Sequence, residues 1–313
     1  MHPRDPWRIA IHGQVDASVE IGLGELLPEV QTMGVQLLEC SGNTKFRRFG
    51  LMSSAEWSGV ALLKVLEKVE PTTRATRVLV SGFDEHSDAH SPSVLGASWI
   101  FSFDELEQTG AYLATGMNGR PLPRDHGAPV RLIVPGWYGC TCIKWVNEIV
   151  LVDEEAASTA QMREYASRTH QDGVPELARD FEPASMDLAA MPIRVEKWRT
   201  NEEVTYRVVG ILWGGHGLTD GLVIRFNPDT PYAPVEDYVH ETNGTWALWS
   251  HTWKPRTPRR YAIQLQVNDP AIRTRRLDRG YYIRQVDTST RFEAQSRKLR
   301  RTPMISMGSA RRV

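Results

Sequence analysis

The chain has 313 residues, enough for two domains with separate cores, and is 41% hydrophobic and 24% charged. Its 37 Lys and Arg balance 38 Asp and Glu, a formal charge of -1 that excludes a polyanion binder working through net charge. The longest apolar stretches, such as Val146 to Val152, are interrupted by Asn147 and Glu148 and fall short of the ~20 residues of a membrane helix, so a soluble protein is expected.

Trp7 to Gly13 alternates Trp7, Ile9 and Ile11 with Arg8, Ala10 and His12, the period of a half-buried strand. Gly24 to Leu27 suits a short helical turn stopped by Pro28, and Val35 to Cys40 is an apolar run ending at Ser41-Gly42-Asn43. Cys40 is therefore expected at a strand end. Val60, Leu62, Leu63 and Leu66 predict a helix over Trp57 to Val69, with Ser53, Ser54 and Glu56 as capping residues. A strand over Thr76 to Gly82, a turn at Asp104 to Gln108, and a hairpin at Asn118-Gly119 follow. Val130 to Val134 and Ile143 to Val152 are two more apolar runs.

From Asp153 to about Met191 the pattern gives way to charged and turn-forming residues, with Pro175, Pro183 and Pro192, as in a connection between domains. Five β-rich runs succeed it: Thr205 to Trp213, Leu222 to Phe226, Thr245 to Thr252, Arg260 to Val267 and Tyr281 to Val286, a spacing that predicts a β-sandwich. Arg291 to Val313 reads as a basic tail. The expected fold class is α+β, with a mixed domain over 1–184, a sandwich over 185–290 and a tail over 291–313.

The cysteines, Cys40, Cys140 and Cys142, are too few for a disulfide framework or a four-cysteine zinc site. Met1 to Asp5 lacks a basic stretch followed by an apolar one, so no secretion signal is expected within these residues. Cys40, at a strand end beside Gly42, can present a soft thiolate to a ligand, although a buried structural cysteine is the commoner outcome for such a residue. Asp84, His86, Asp88 and His90 alternate along one strand face and could bind a divalent metal, with a polar loop the alternative. Cys140 and Cys142 share a face, suggesting redox pairing or simple packing.

Several blocks, in order, resemble the sulfite oxidase family of mononuclear molybdenum enzymes. They are Leu37-Leu38-Glu39-Cys40-Ser41-Gly42-Asn43, Trp57-Ser58-Gly59-Val60, Met117 to Arg131, and Pro135-Gly136-Trp137-Tyr138-Gly139 to Lys144-Trp145. Trp213-Gly214-Gly215-His216-Gly217 with Trp246, Trp249 and Trp253 resembles the family's C-terminal immunoglobulin-like dimerisation domain.

The resemblance implies a molybdopterin-binding domain in which Cys40 joins two dithiolene sulfurs of a pyranopterin in binding molybdenum. It implies that His126, Arg131 and Lys144 hold the cofactor phosphate, that the loop containing Cys140, Thr141 and Cys142 supplies N–H groups, and that Asp84 lies near the pterin. Tyr165, 21 residues after Lys144, matches a substrate-side phenol. Lys45, with Arg47 and Arg48 nearby, stands where the family usually has two arginines, keeping charge but losing the planar fork. The family's Arg-Asn-His segment has no counterpart in Met1 to Asp5.

The implied function is oxygen-atom transfer to a small sulfur oxyanion, foremost sulfite to sulfate. Electrons would pass to an external acceptor such as a cytochrome c, because no Cys-x-x-Cys-His haem motif is present. A same-fold reductase of nitrate or a sulfoxide and a non-catalytic binding or assembly module are the alternatives. A homodimer in the periplasm, with no nucleic-acid partner, completes the expectation.

Overall fold

The computed structural model describes residues 7–43, 49–83, 96–200 and 203–289. In chain order these form β1 (Arg8–Gly13), β2 (Val19–Gly22), α1 (Leu23–Leu26), β3 (Gln31–Glu39), β4 (Met52–Ala61), α2 (Leu62–Leu66), β5 (Arg77–Gly82) and β6 (Ser98–Ser102). Next come α3 (Phe103–Thr109), β7 (Tyr112–Met117), β8 (Arg120–Pro121), β9 (Arg131–Ile133), β10 (Val146–Val152) and α4 (Ala160–Tyr165). The rest holds β11 (Ala189–Thr200), β12 (Glu203–Trp213), β13 (Leu222–Arg225), β14 (Ala233–Pro234), β15 (Ala247–Trp253), β16 (Arg260–Val267), α5 (Arg275–Asp278) and β17 (Arg284–Asp287).

Two five-stranded sheets occupy the first half: β2-β1-β10-β5-β6, in which β1 and β10 run parallel, and β3-β4-β7-β8 with β9 against β7. β1 buries Ile9 and Ile11 and exposes Arg8, as its alternation requires. Asn118 and Gly119 carry φ of 52° and 71°, the left-handed pair of a tight hairpin between β7 and β8.

The helix expected over Trp57 to Val69 is a strand through Ala61 and a short helix only from Leu62 to Leu66. Pairing with β3 on one side and β7 on the other overrides the local helical period. Gly59 permits this closeness: a Cβ there would lie 2.3 Å from the Leu113 carbonyl oxygen. The residues read as caps therefore lie in β4, where the Ser54 hydroxyl donates to the Gly244 carbonyl at 2.8 Å. The turn expected at Asp104 to Gln108 is helix α3, with a Ser102–Glu105 capping box and Gly110 at φ 61° closing it.

The second half forms a three-stranded sheet, β11-β12-β15, and a four-stranded sheet, β14-β13-β16-β17. β11 was not among the expected runs: it begins where the expected connection ends and fills the gap before Thr205, and Pro192 interrupts its pattern at a bulge between Pro192 and Arg194, where the sheet tolerates it. Trp213 and Trp249 are buried in the core, Trp253 stacks on Phe226 at 4.1 Å, and Trp246 is exposed.

One apolar cluster gathers residues such as Ile9, Val78, Phe101, Leu132 and Leu151 from the first two sheets. A second gathers Val208, Trp213, Trp249 and Ile263, and it includes Leu37, Phe49 and Tyr138 from the first half. The end of β3 thus lies at the seam of the two cores. Among the described residues, no helix is long and apolar enough to cross a membrane.

Gly82 ends β5 against the segment carrying Lys144, and a Cβ at this position would lie 2.1 Å from the Lys144 carbonyl oxygen. Gly82→Ala is expected to lower stability by about 1–3 kcal/mol, since backbone must shift to admit a methyl group. Urea unfolding checks this; a change under about 0.5 kcal/mol would contradict the close approach.

Candidate active site

β3 delivers Cys40 to the surface from a packed base. The Cys40 N–H donates to the Leu51 carbonyl at 3.0 Å, and the Asn43 N–H donates back to the Cys40 carbonyl at 2.8 Å, closing the Cys40-Ser41-Gly42-Asn43 turn. Asn43 locks that turn: its amide donates to Glu39 Oε1 at 3.0 Å and its Oδ1 accepts from the Leu51 N–H at 3.2 Å. Glu39, Ser41 and Asn43 are buried, whereas Cys40 is exposed with a free thiol. The strand end therefore presents one side chain from a fixed backbone.

The facing wall is the Gly139–Thr141 turn, where a Cβ at Gly139 would come 3.3 Å from the Glu39 carbonyl oxygen. Cys40, Cys140, Lys144 and Tyr165, with Gly50, Leu51 and Met52, line a cavity of about 590 Å³. That size lies within the range of small-molecule and cofactor sites. Gln161 of α4 donates to the Cys140 carbonyl, tying this wall to the helix that carries Tyr165. Burial, then the neighbouring thiols of Cys40 and Cys140, raises the Tyr165 phenol, which keeps its proton and can donate a hydrogen bond.

Four of the residues singled out in the sequence thus share one cavity: Cys40, Cys140, Lys144 and Tyr165. The Lys144 ammonium donates to the Asp125 carbonyl at 2.6 Å. Arg131 is buried and donates to the His126 carbonyl at 3.1 Å and the Cys142 carbonyl at 3.2 Å, bracing the loop beside the cavity. His126 is half-exposed, 3.4 Å from the Asp125 carboxylate. Thr141 and Cys142 turn into the core: the Thr141 hydroxyl donates to the Tyr138 carbonyl, and the Cys142 sulfur accepts from the Val134 N–H. The amides of Thr141, Cys142 and Ile143 donate to Tyr138, Gly139 and Thr141 carbonyls within the turn.

Lys45 and Asp84 lie outside the described residues, as do Arg47, Arg48 and the His86 to His90 run. Among the described residues, no group of three or more His, Cys, Asp or Glu could hold a metal ion.

Sequence reading passed over Arg168. Its guanidinium lies over the Tyr165 ring at 5.1 Å and 3.8 Å from where a Gly42 Cβ would stand, the same point being 3.6 Å from the Cys40 sulfur. The Tyr165 to Arg168 spacing of one helical turn was the available signal.

Burial pushes the Cys140 thiol up to about 12, so it stays neutral where an ordinary thiol ionises. In cofactor-free protein at pH 8, iodoacetamide is expected to alkylate Cys40 ahead of Cys140 and Cys142, as read by peptide mass spectrometry. Equal labelling of Cys140 would contradict it. The raised Cys140 value contributes stability fully below its unfolded value near 9.0, and this is lost as pH climbs toward about 12, so the melting temperature should fall across that window.

A sheet-rich scaffold thus brings one exposed thiol, a second neutral thiol and the Lys144 ammonium to a cavity of cofactor size. Residues 2–160 match the oxidoreductase molybdopterin binding domain, and the chain belongs to this family of molybdopterin oxidoreductases, that of the sulfite oxidases. It is 27% identical over 236 residues to a nitrate reductase [NADPH] of Fusarium oxysporum, covering 67% of this chain and 26% of that protein. It is 30% identical over 194 residues to the mitochondrial sulfite oxidase of Macaca fascicularis, covering 58% of this chain and 35% of that protein. The chain thus spans about a quarter to a third of the length of these relatives. Its fold resembles the crystal structure of the sulfane dehydrogenase SoxCD from Paracoccus pantotrophus, with TM-score 0.65 and 19% identity over 90% of this chain and 76% of that one.

The cofactor that goes with this family is molybdenum with molybdopterin. The cavity fits it: an exposed thiol supplies a soft donor, and Lys144 brings positive charge to the same space for a phosphate.

Proposed function

We propose that the chain transfers an oxygen atom from water to a small sulfur oxyanion, foremost sulfite to sulfate, with two protons released to water and two electrons leaving one at a time to an external acceptor such as a cytochrome c. The observation that carries this reading is the exposed Cys40 thiol sharing a cavity with Tyr165 and Lys144. The bound molybdenum cofactor would supply the redox chemistry. Cys40 would hold the metal as thiolate, and Lys144, His126 and Arg131 would secure the pterin phosphate, Arg131 by bracing its loop. The cofactor contacts would be completed by Asp84 and by Cys140, while Thr141 and Cys142, turned into the core with their amides bonded inside the turn, would shape the wall that carries Cys140. Tyr165 would donate a hydrogen bond from its phenol to the anion, and Lys45 would contribute positive charge toward it.

We assign residues 1–184 to cofactor binding, 185–290 to an immunoglobulin-like dimerisation domain and 291–313 to a basic tail docking an acidic acceptor. Two antiparallel sheets around one core support the second assignment. Export to the periplasm is part of the same proposal. A second reading, a reductase of nitrate or a sulfoxide, is favoured by the nitrate reductase relative, matched over 67% of this chain.

Steady-state assays of sulfite with ferricyanide against nitrate with a reduced viologen dye separate the two. Turnover of sulfite is expected; activity only with nitrate would end the sulfite reading. Neither activity in molybdenum-loaded protein would favour a binding or assembly module.

A further inference from the structure

The residue before Cys40 carries a buried carboxylate whose donors come largely from the other half of the molecule. Glu39 Oε1 accepts from Arg276 Nη1 at 2.9 Å and from the Asn43 amide at 3.0 Å, while Oε2 accepts from the Trp213 indole N–H at 3.0 Å. Arg276 Nη2 also donates to the Ser41 carbonyl at 2.8 Å, and Nη1 approaches the Asn43 carbonyl at 3.4 Å. One guanidinium therefore holds residues 39, 41 and 43, leaving Cys40 as the exposed side chain between them.

The same guanidinium lies over the Tyr138 ring at 4.8 Å. Tyr138 roots the Gly139–Thr141 turn, the opposite wall of the cavity. Its neighbour Arg275 donates to the His170 carbonyl at 3.1 Å, reaching the segment that follows Tyr165 and Arg168. The short helix α5 thus touches all three segments around the thiol.

We propose that Arg276, with Trp213, is a positioning residue that clamps both walls of the Cys40 cavity from the all-β half, so that the geometry of the metal ligand is set by a part of the chain outside the matched family domain. This rests on the reading of Cys40 as the metal ligand. A planar guanidinium suits the task because it serves several acceptors at fixed angles, which an ammonium cannot.

Arg276→Lys keeps charge and most of the volume, and Glu39→Gln keeps shape while removing the carboxylate. In metal-free protein of either variant, amide exchange at Cys40 and Asn43 should accelerate about tenfold while the β5 amides exchange as in the parent. In loaded protein, the thiolate-to-metal absorption should shift and pterin should be released faster, with Arg276→Lys less affected than Arg276→Met. Parent-like exchange and absorption in both folded variants would overturn the clamp. Parent protein without molybdenum, from a host that makes the cofactor, would instead end the functional reading, and exchange would still decide the clamp.

Discussion

Replacing Cys40 with serine is expected to lower kcat by about 10³-fold or more, equivalent to roughly 4 kcal/mol of activation free energy, while leaving the fold intact. The thiol is exposed at the end of β3, so its own packing contributes little, and the change in unfolding free energy should stay within about 0.5 kcal/mol. A serine hydroxyl keeps its proton at neutral pH and is a hard donor, so it cannot stand in for a thiolate toward a soft metal. Cys140 lines the same cavity but is held neutral by burial, so Cys140→Ser should have a much smaller effect. Rates and thermal melts on the two variants together distinguish ligation from packing. An unaffected rate in Cys40→Ser would refute the ligand assignment.

The second large effect is on stability. Arg276→Met strands the Glu39 carboxylate and removes donors from the Ser41 and Asn43 carbonyls. Breaking one side of a buried ion pair costs about 3–5 kcal/mol, because the remaining charge stays desolvated with only the neutral Asn43 and Trp213 donors to offset it. Glu39 and Arg276 are both almost fully buried, with side-chain exposures of 1% and 5%, so solvent cannot relieve it. Pairing the change with Glu39→Gln should recover part of the loss, since the orphan is then an amide. Urea unfolding of the single and double variants measures this. A single variant within about 1 kcal/mol of the parent would mean that water or relaxation replaces the guanidinium.

The sequence carried the local parts of this architecture. The Cys40 strand end, the Asn118-Gly119 hairpin and the alternating runs of the second half follow from periodicity and turn chemistry. β4 did not, because its helical spacing near Leu62 is overridden by pairing on both sides. α3 carried its signal in Ser102 and Glu105, a capping box read as a turn. The partners of Glu39 lie 174 and 237 residues away, and no local pattern shows that Trp213 and Arg276 return to the cysteine. Of the candidate site, Cys40, Cys140, Lys144 and Tyr165 were legible through the resemblance of their motifs to the family, whereas Arg168 offered only its one-turn spacing from Tyr165 until the fold set it beside Gly42.

The central claim is that Cys40 holds molybdenum with its pterin in this cavity. It is tested most directly by metal analysis and pterin fluorescence on protein from a cofactor-producing host, with X-ray absorption at the metal in the parent and in Cys40→Ser. Molybdenum is expected close to stoichiometric with the chain, accompanied by pterin, and the metal is expected to lose a sulfur neighbour in the variant. Metal-free parent protein, or an identical sulfur environment in both, would contradict it.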